Sequence, residues 1–73
     1  MNKTRLKDLR EDRNLLQKDI AKMLNMKQQQ YSRYETDQVE ITTTLLTILA
    51  DYYETSTDYI LRRTNQQKPY PKA

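Results

Sequence analysis

Apolar residues along this 73-residue chain recur mostly three or four positions apart, the spacing that places side chains on one face of an α-helix. A first helix is predicted over residues 3–13, where Leu6 and Leu9 form a narrow apolar stripe and Asn14 follows as a left-handed stop. A second is predicted over residues 17–25, with apolar positions at Ile20, Ala21, Met23 and Leu24. Each stripe needs a partner helix to cover it.

The next two predicted helices differ in the width of their apolar faces. The third runs over about residues 28–35 and is expected to bury Tyr31 and Tyr34. A loop over residues 36–41 leads to Thr42, a residue type that caps helices well. The fourth helix then carries the broadest apolar face in the chain and is expected to be the central core helix, with Leu45, Leu46, Leu49, Ala50 and Tyr53.

A short fifth helix is predicted to start near Ser56 or Thr57 and to carry Tyr59, Ile60 and Leu61. No period-two alternation is long enough to indicate a strand. The predicted fold is therefore all-α, a compact bundle of five short helices in one domain over residues 1–64. Residues 65–73 are polar and contain both prolines, so they are expected to form a flexible basic tail.

The chain contains no glycine, although turns between short helices usually need a residue at positive φ. Asn14, Asn25 and Asp37 occupy the predicted junctions. Asn and Asp tolerate the left-handed region better than other non-glycine residues. We therefore expect these three to take the place of glycine.

Composition narrows the possible functions. The absence of Cys and His removes disulfides, thiolate zinc sites and imidazole chemistry, so no metal, cofactor or catalytic residue is expected, and an enzyme is disfavoured. No signal-like or membrane-spanning run is present. The prediction is a cytoplasmic protein with no membrane partner and no evident small-molecule substrate.

Charge is distributed in blocks. Residues 1–33 carry nine basic and four acidic side chains, residues 34–61 carry six acids and no base, and residues 62–73 carry four bases and no acid. A basic face beside an acidic body suits a polyanion that approaches in one orientation, although a scattered solvated surface is the plainer interpretation.

An ordered set of residues resembles the lambda-repressor and Cro family of phage and bacterial helix-turn-helix regulators. The 20-residue motif of that family is matched by Gln17, Ile20, Ala21, Leu24, Asn25, Met26, Tyr31 and Tyr34. Arg10 and Glu35 stand where the family places a partly buried ion pair, and the later core is matched by Leu46, Leu49, Ala50 and Ile60. The resemblance covers roughly residues 6–61.

The chain departs from this family at its turns and caps. Leu16 and Lys27 stand where Ser or Thr usually cap a helix, and Asn or Asp replaces the usual glycines. Each missing cap is expected to cost about 1 kcal/mol of stability.

The resemblance implies that the third helix reads DNA bases. A side-chain amide matches adenine N6 and N7 in the major groove, and a guanidinium matches guanine O6 and N7. Gln28, Gln29 and Arg33 are the expected base readers, with Gln30 and Ser32 in secondary positions. Without the surrounding framework, three consecutive glutamines would be more typical of a solvated helix face.

Phosphate contacts are expected from residues around the motif. Gln17 resembles the family's phosphate-anchoring glutamine, Lys27 lies in the turn, and Arg10 could be shared between Glu35 and a phosphate. Exposed lysines such as Lys18 and Lys22 more often serve solubility. Polar residues near the following loop are further candidates: Gln38, Thr42 and Thr43.

The resulting hypothesis is sequence-specific binding of double-stranded DNA by a transcriptional regulator, most simply a repressor, that acts as a homodimer on half-sites about 34 Å apart. Tyr59, Leu61 and the Arg62–Arg63 pair could build the dimer contact, or the apolar residues could simply close the core. The tail could follow phosphates or have no role. The alternative is an antitoxin-like or anti-repressor module that binds protein through the acidic fourth-helix side.

Overall fold

The computed structural model describes residues 3–68 and contains five α-helices in this part of the chain. The helices are α1 (Leu6–Asp12), α2 (Gln17–Met23), α3 (Gln28–Glu35), α4 (Thr43–Tyr52) and α5 (Thr57–Ile60). No strand occurs between residues 3 and 68. The predicted all-α, five-helix fold is confirmed.

Helix α1 begins three residues later than the sequence predicts. The backbone N–H of Arg5 donates to the carbonyl of Ile60 at 2.8 Å, and the Thr4 hydroxyl accepts from the N–H of Leu6 at 3.5 Å. The residues before Leu6 therefore run against α5 and do not continue the helix. Residues 3–5 have helical propensity, but their contact with α5 overrides it, and local sequence does not encode that contact.

All five helices end in the same backbone motif. In α1, the N–H of Asn14 donates to the carbonyl of Glu11 at 2.9 Å, and that of Leu15 donates to the carbonyl of Arg10 at 3.1 Å. This pair of bonds is a Schellman motif, which satisfies carbonyls at a helix end and needs one residue at positive φ. Those residues are Asn14 (57°), Asn25 (57°), Asp37 (63°), Glu54 (55°) and Arg62 (62°).

The prediction of positive φ is confirmed for the two asparagines and for Asp37, but Glu54 and Arg62 were missed. Nothing in a glutamate or an arginine side chain indicates a left-handed backbone. They lie at the ends of α4 and α5, where the chain must reverse its direction to close the bundle. Because each is a non-glycine residue in this region, each carries a strain cost.

Helix starts are capped unevenly. The Thr42 hydroxyl accepts from the N–H of Leu45 at 3.2 Å, and the Ser56 hydroxyl accepts from that of Tyr59 at 3.0 Å, which places the start of α5 after Ser56. At α2 the Asp19 carboxylate accepts from the N–H of Leu16 at 2.8 Å. Helix α3 begins after Lys27 with no side-chain cap. Helices α2 and α3 were both expected to lack a cap, and of these only α3 begins without a side-chain hydrogen bond. The expected stability cost therefore applies in full only to α3.

The core is one cluster to which every helix contributes. Helix α4 supplies the most members, as predicted for the central helix. The buried apolar residues are Leu6, Leu9, Ile20, Ala21, Tyr31, Leu46, Leu49, Ala50, Tyr53 and Ile60.

Several residues on the predicted apolar stripes lie outside this cluster. Leu45, expected on the apolar face of α4, is only half-buried. Tyr34 is only half-buried, so the expectation that it would be buried is wrong. The inward face of α3 centres on Tyr31 and Glu35, four residues apart, which leaves Tyr34 at the edge of that face. Met23 is 40% exposed at the end of α2.

The first part of the predicted tail contacts the bundle. The Arg5 guanidinium donates to the Asn65 side chain at 3.3 Å, and the Thr55 hydroxyl donates to the carbonyl of Gln67. The rest of the predicted tail, residues 69–73, lies outside the described residues. Among the described helices none is long and apolar enough to cross a membrane.

Candidate nucleic-acid interface

Helices α2 and α3 pack against each other through a tight turn. At this turn Asn25 has a φ of 57°, and the N–H of Met26 donates to the carbonyl of Ala21 at 2.9 Å. Ala21 is fully buried between the two helices, where its small side chain permits close approach. The turn therefore fixes the position of α3 relative to α2.

A bidentate ion pair connects α1 to the end of α3. Arg10 Nε donates to Glu35 Oε2 at 2.8 Å, and Arg10 Nη2 donates to Glu35 Oε1 at 3.1 Å. Arg10 Nη1 also donates to the carbonyl of Leu15 at 2.8 Å, which ties the α1–α2 turn to the same group. The two side chains are only 10% and 2% exposed, so the pair is shielded from water. The sequence predicts this pairing only through the family resemblance.

Gln17 joins this pair from the start of α2. Its Nε2 donates to Glu35 Oε1 at 3.2 Å, and its side chain is half-buried. An amide nitrogen has two hydrogens, so one N–H remains for another acceptor such as a phosphate. Sequence reasoning treated Gln17 only as a phosphate contact and missed its bond to Glu35. The carboxylate of Glu35 thus receives hydrogen bonds from two other segments.

These contacts fix the charge state of the pair. Burial alone would raise the pKa of Glu35, but the hydrogen bond and positive charge of Arg10, with smaller contributions from Tyr31 and Gln17, outweigh burial, and the pKa lies below its usual value. The hydrogen bond to Glu35 raises the pKa of Arg10. Both groups are therefore charged at neutral pH. Arg10 lies in this shielded network, and its sharing with a phosphate stays a prediction.

Two buried tyrosines lie in the core near the ion pair of Arg10 and Glu35. The rings of Tyr31 and Tyr53 are almost completely buried. Burial is the main cause that raises the pKa of each phenol above its usual value, and the negative charge of Glu35 adds to this effect. Neutral phenols therefore lie beside the ion pair over the whole physiological pH range.

The outer face of α3 carries most of the predicted base readers. Gln28, Gln29 and Arg33 are exposed, and none of their side chains makes a hydrogen bond or ion pair within residues 3–68. Gln29 and Arg33 lie four residues apart, on the side opposite the buried Tyr31 and Glu35. Their donors and acceptors are available to an external partner.

Ser32 and Gln30 are placed differently from these three. Ser32 is half-buried, and its carbonyl accepts from the Thr36 hydroxyl at 3.0 Å. Gln30 lines a concave surface between α2 and the start of α3, which we call the lysine groove. The groove is lined by Lys18, Ala21, Lys22, Asn25, Met26, Lys27, Gln28 and Gln30. Lys27 and Gln30 therefore share one surface, beside the face that carries Gln29.

The predicted loop contacts lie beyond the other end of α3. Gln38 is exposed, and its backbone N–H donates to the carbonyl of Arg33 at 2.9 Å. Thr43 is exposed in the first turn of α4, whereas the Thr42 hydroxyl is used as a cap. Thr43 also borders a cleft of about 410 Å³, which we call the apolar cleft. Its apolar lining comprises Tyr34, Val39, Ile41, Leu46 and Leu61, and the rest of its lining is polar or charged: Lys3, Thr4, Asp37, Glu40 and Thr43.

Two of the predicted dimer residues, Tyr59 and Arg62, are partly engaged within the domain. The Arg5 guanidinium stacks 4.3 Å from the centre of the Tyr59 ring and covers it. Arg62 donates to the carbonyl of Thr4 at 3.2 Å and lies 3.6 Å from the Asp8 carboxylate. Leu61 instead opens into the apolar cleft.

Comparison with known proteins agrees with the arrangement of α2 and α3 around the turn at Asn25. A family model described as helix-turn-helix matches residues 6–60, which is most of the chain and includes all five helices. No curated protein and no solved structure matched the chain. Between residues 3 and 68 no three acidic side chains come together in a way that would hold a metal ion.

Proposed function

Because this chain belongs to the lambda-repressor-like helix-turn-helix family of DNA-binding transcription regulators, we propose that it recognises a specific double-stranded sequence by placing α3 in the major groove. The observation that carries the proposal is the contrast between the two faces of α3. One face is fixed to the core through Tyr31 and Glu35, and the opposite face presents Gln29 and Arg33 without internal partners. Gln28, three residues before Tyr31, is exposed and also without an internal partner in the first turn of the helix.

The chemistry of that outer face suits base edges. The major groove is about 12 Å wide and admits an α-helix, and it displays a distinct donor and acceptor pattern for each base pair. Gln28 and Gln29 are suited to adenine, and Arg33 is suited to guanine. The ion pair of Arg10 and Glu35 holds α3 in a fixed orientation, so its side chains are positioned before DNA binds.

Phosphate contacts fix the register of the helix. The second amide hydrogen of Gln17, together with the N–H groups at the start of α2, is available to one phosphate. Lys27 adds a positive charge where α3 begins. Gln38 and Thr43 contribute polar groups from the opposite end of α3, so the proposed contacts lie on both sides of the base readers.

The protein acts on DNA as a homodimer in this proposal. One α3 reads few base pairs, and two copies on half-sites about 34 Å apart double the contact. The apolar cleft suits the contact between copies, since Val39 is 44% exposed and Leu61 is half-buried at its edge. The cleft also adjoins Thr43, so it lies next to the proposed DNA surface. A dimer that covers a promoter blocks polymerase by occupancy, which makes repression the simplest outcome.

A protein-binding module is the second candidate function. Ile48 and Tyr52, four residues apart on α4, are 43% and 36% exposed, with the acidic Asp51 between them. This surface suits an antitoxin-like or anti-repressor role in which DNA binding is secondary. A specific protein complex that survives Gln28→Ala and Gln29→Ala, with no DNA footprint, would favour it.

Selection from a random duplex pool tests the proposed function. We expect a defined sequence with two related halves, bound by two copies, and an affinity that falls steeply between roughly 50 and 200 mM salt. Equal recovery of all sequences, or affinity that does not respond to salt, would contradict the proposal.

A further inference from the structure

The lysine groove contains three ammonium groups that the base-reading face does not use. Lys18 and Lys22 are four residues apart on α2, so they lie on one face of that helix. Lys27 stands where α3 begins. All three side chains are exposed, and none has an ion-pair or hydrogen-bond partner within the described part of the chain. The groove therefore concentrates unpaired positive charge.

No acidic residue lines this groove. Asp19 is the only acid on α2, and its carboxylate accepts the backbone N–H of Leu16 at 2.8 Å at the start of the helix. Like charges four residues apart repel each other on a helix, so Lys18 and Lys22 do not stabilise α2. An anion in the groove offsets this repulsion, because both ammonium groups attract it.

The lining of the shallow groove suits a chain of phosphates. Half-buried Met26 contributes apolar surface in the turn between the two helices. Lys18 and Lys22 line the groove from α2, and Lys27 lines it from the residue before α3. Helix α3 begins here without a side-chain cap, so backbone N–H groups of its first turn add to the positive field. Gln28 and Gln30 line the groove and flank Gln29 in the first turn of α3, so the groove adjoins the outer face of that helix.

We propose that the lysine groove binds the phosphodiester backbone of DNA outside the segment whose bases α3 reads, with Lys18 and Lys22 each neutralising a flanking phosphate. This inference rests on the proposed function and extends it. Affinity then depends on duplex length beyond the recognised bases, while base preference stays with α3. Gln30, on the groove surface, contacts this backbone and reads no base.

The test uses the full chain with the double substitution Lys18→Gln and Lys22→Gln. A control with the same net charge carries Lys7→Gln and Lys68→Gln, two exposed lysines that do not line the groove. Two duplexes serve as probes: the sequence selected from the random pool with at least one helical turn added on each side, and the same sequence trimmed to the recognised bases. Far-ultraviolet circular dichroism shows that each variant is folded.

On the extended duplex we expect the salt dependence of the double variant, plotted as log affinity against log salt, to be shallower than wild type by about two, since each phosphate contributes roughly 0.9. On the trimmed duplex the double variant and wild type should bind alike. The control should follow wild type on both, and base preference should not change.

A double variant that keeps the wild-type slope on the extended duplex would overturn the inference and leave the groove to another polyanion, such as an acidic protein. Equal losses in the double variant and the control would also overturn it, because the effect would then be net charge alone. Wild-type protein that shows no salt-dependent binding would instead overturn the proposed function together with this inference.

Discussion

The side-chain amide of Gln17 donates to the Glu35 carboxylate at 3.2 Å, which joins the first residue of α2 to the last residue of α3. The same carboxylate binds Arg10 of α1 through two hydrogen bonds. Three helices of the proposed DNA-binding unit therefore meet at one buried charge. Stability and the orientation of α3 depend on this network.

Replacement of Glu35 by Gln should destabilise the fold by about 3 kcal/mol, because the buried Arg10 guanidinium loses its counter-charge. Chemical denaturation followed by circular dichroism measures the free energy of unfolding. Gln17→Ala, which removes one neutral donor and keeps the ion pair, is the matched control and should cost about 1 kcal/mol. Equal small losses in both variants would show that the ion pair contributes little.

Acid should destabilise wild type more than Glu35→Gln. The pKa of Glu35 is lower in the folded state than the usual 4.5, so the folded state holds the charged form more strongly than the unfolded chain does. This contribution is complete above that usual value and is lost as pH falls through the folded pKa. Denaturation midpoints measured from neutral pH to pH values below 4.5 should fall less steeply in the variant. Parallel curves for the two proteins would contradict this account.

Glu54→Gly should raise stability by about 1 kcal/mol. Glu54 ends α4 with a φ of 55°, and a non-glycine residue in this region carries strain of about 1–2 kcal/mol, part of which the greater chain entropy of glycine offsets. Asn25→Gly, at the same position after α2, should gain less because asparagine tolerates this conformation. Thermal unfolding of both variants checks the order. A lower midpoint for Glu54→Gly would contradict it.

Tyr53→Phe should leave the fold intact and raise stability by about 1 kcal/mol. The Tyr53 hydroxyl is buried and has no hydrogen-bond partner among the described residues, so its removal relieves a desolvation cost. The ring, whose centre lies 5.4 Å from the Arg13 guanidinium, is retained. Tyr53→Leu, which removes the ring as well, should destabilise the fold. A loss of stability in the Phe variant would show that the hydroxyl is satisfied in solution.

Much of the fold could be predicted from local sequence patterns. Apolar spacing identified all five helices, Thr42 marked the start of α4, and the residue type of Asn14 and Asn25 indicated positive φ. The pairing of Arg10 with Glu35 came from family resemblance, because no local pattern connects residues so distant in sequence.

The remaining features depend on tertiary contacts. The start of α1 depends on a bond from Arg5 to α5, and the bond from Gln17 to Glu35 depends on how α2 crosses α3. The partial burial of Tyr34 follows from the exact orientation of α3, which a helical repeat alone does not fix. The lysine groove likewise exists only because the turn at Asn25 brings two helices together.

The measurement that tests the central claim most directly is the affinity of Gln29→Ala for the selected duplex and for duplexes with each recognised base pair replaced. We expect a loss of about 1–3 kcal/mol on the selected sequence and a relaxed preference at one position, because in the proposed function the amide of Gln29 reads a base edge. Lys7→Ala should change neither. An equal loss on every sequence, with the base preference intact, would contradict base reading by α3.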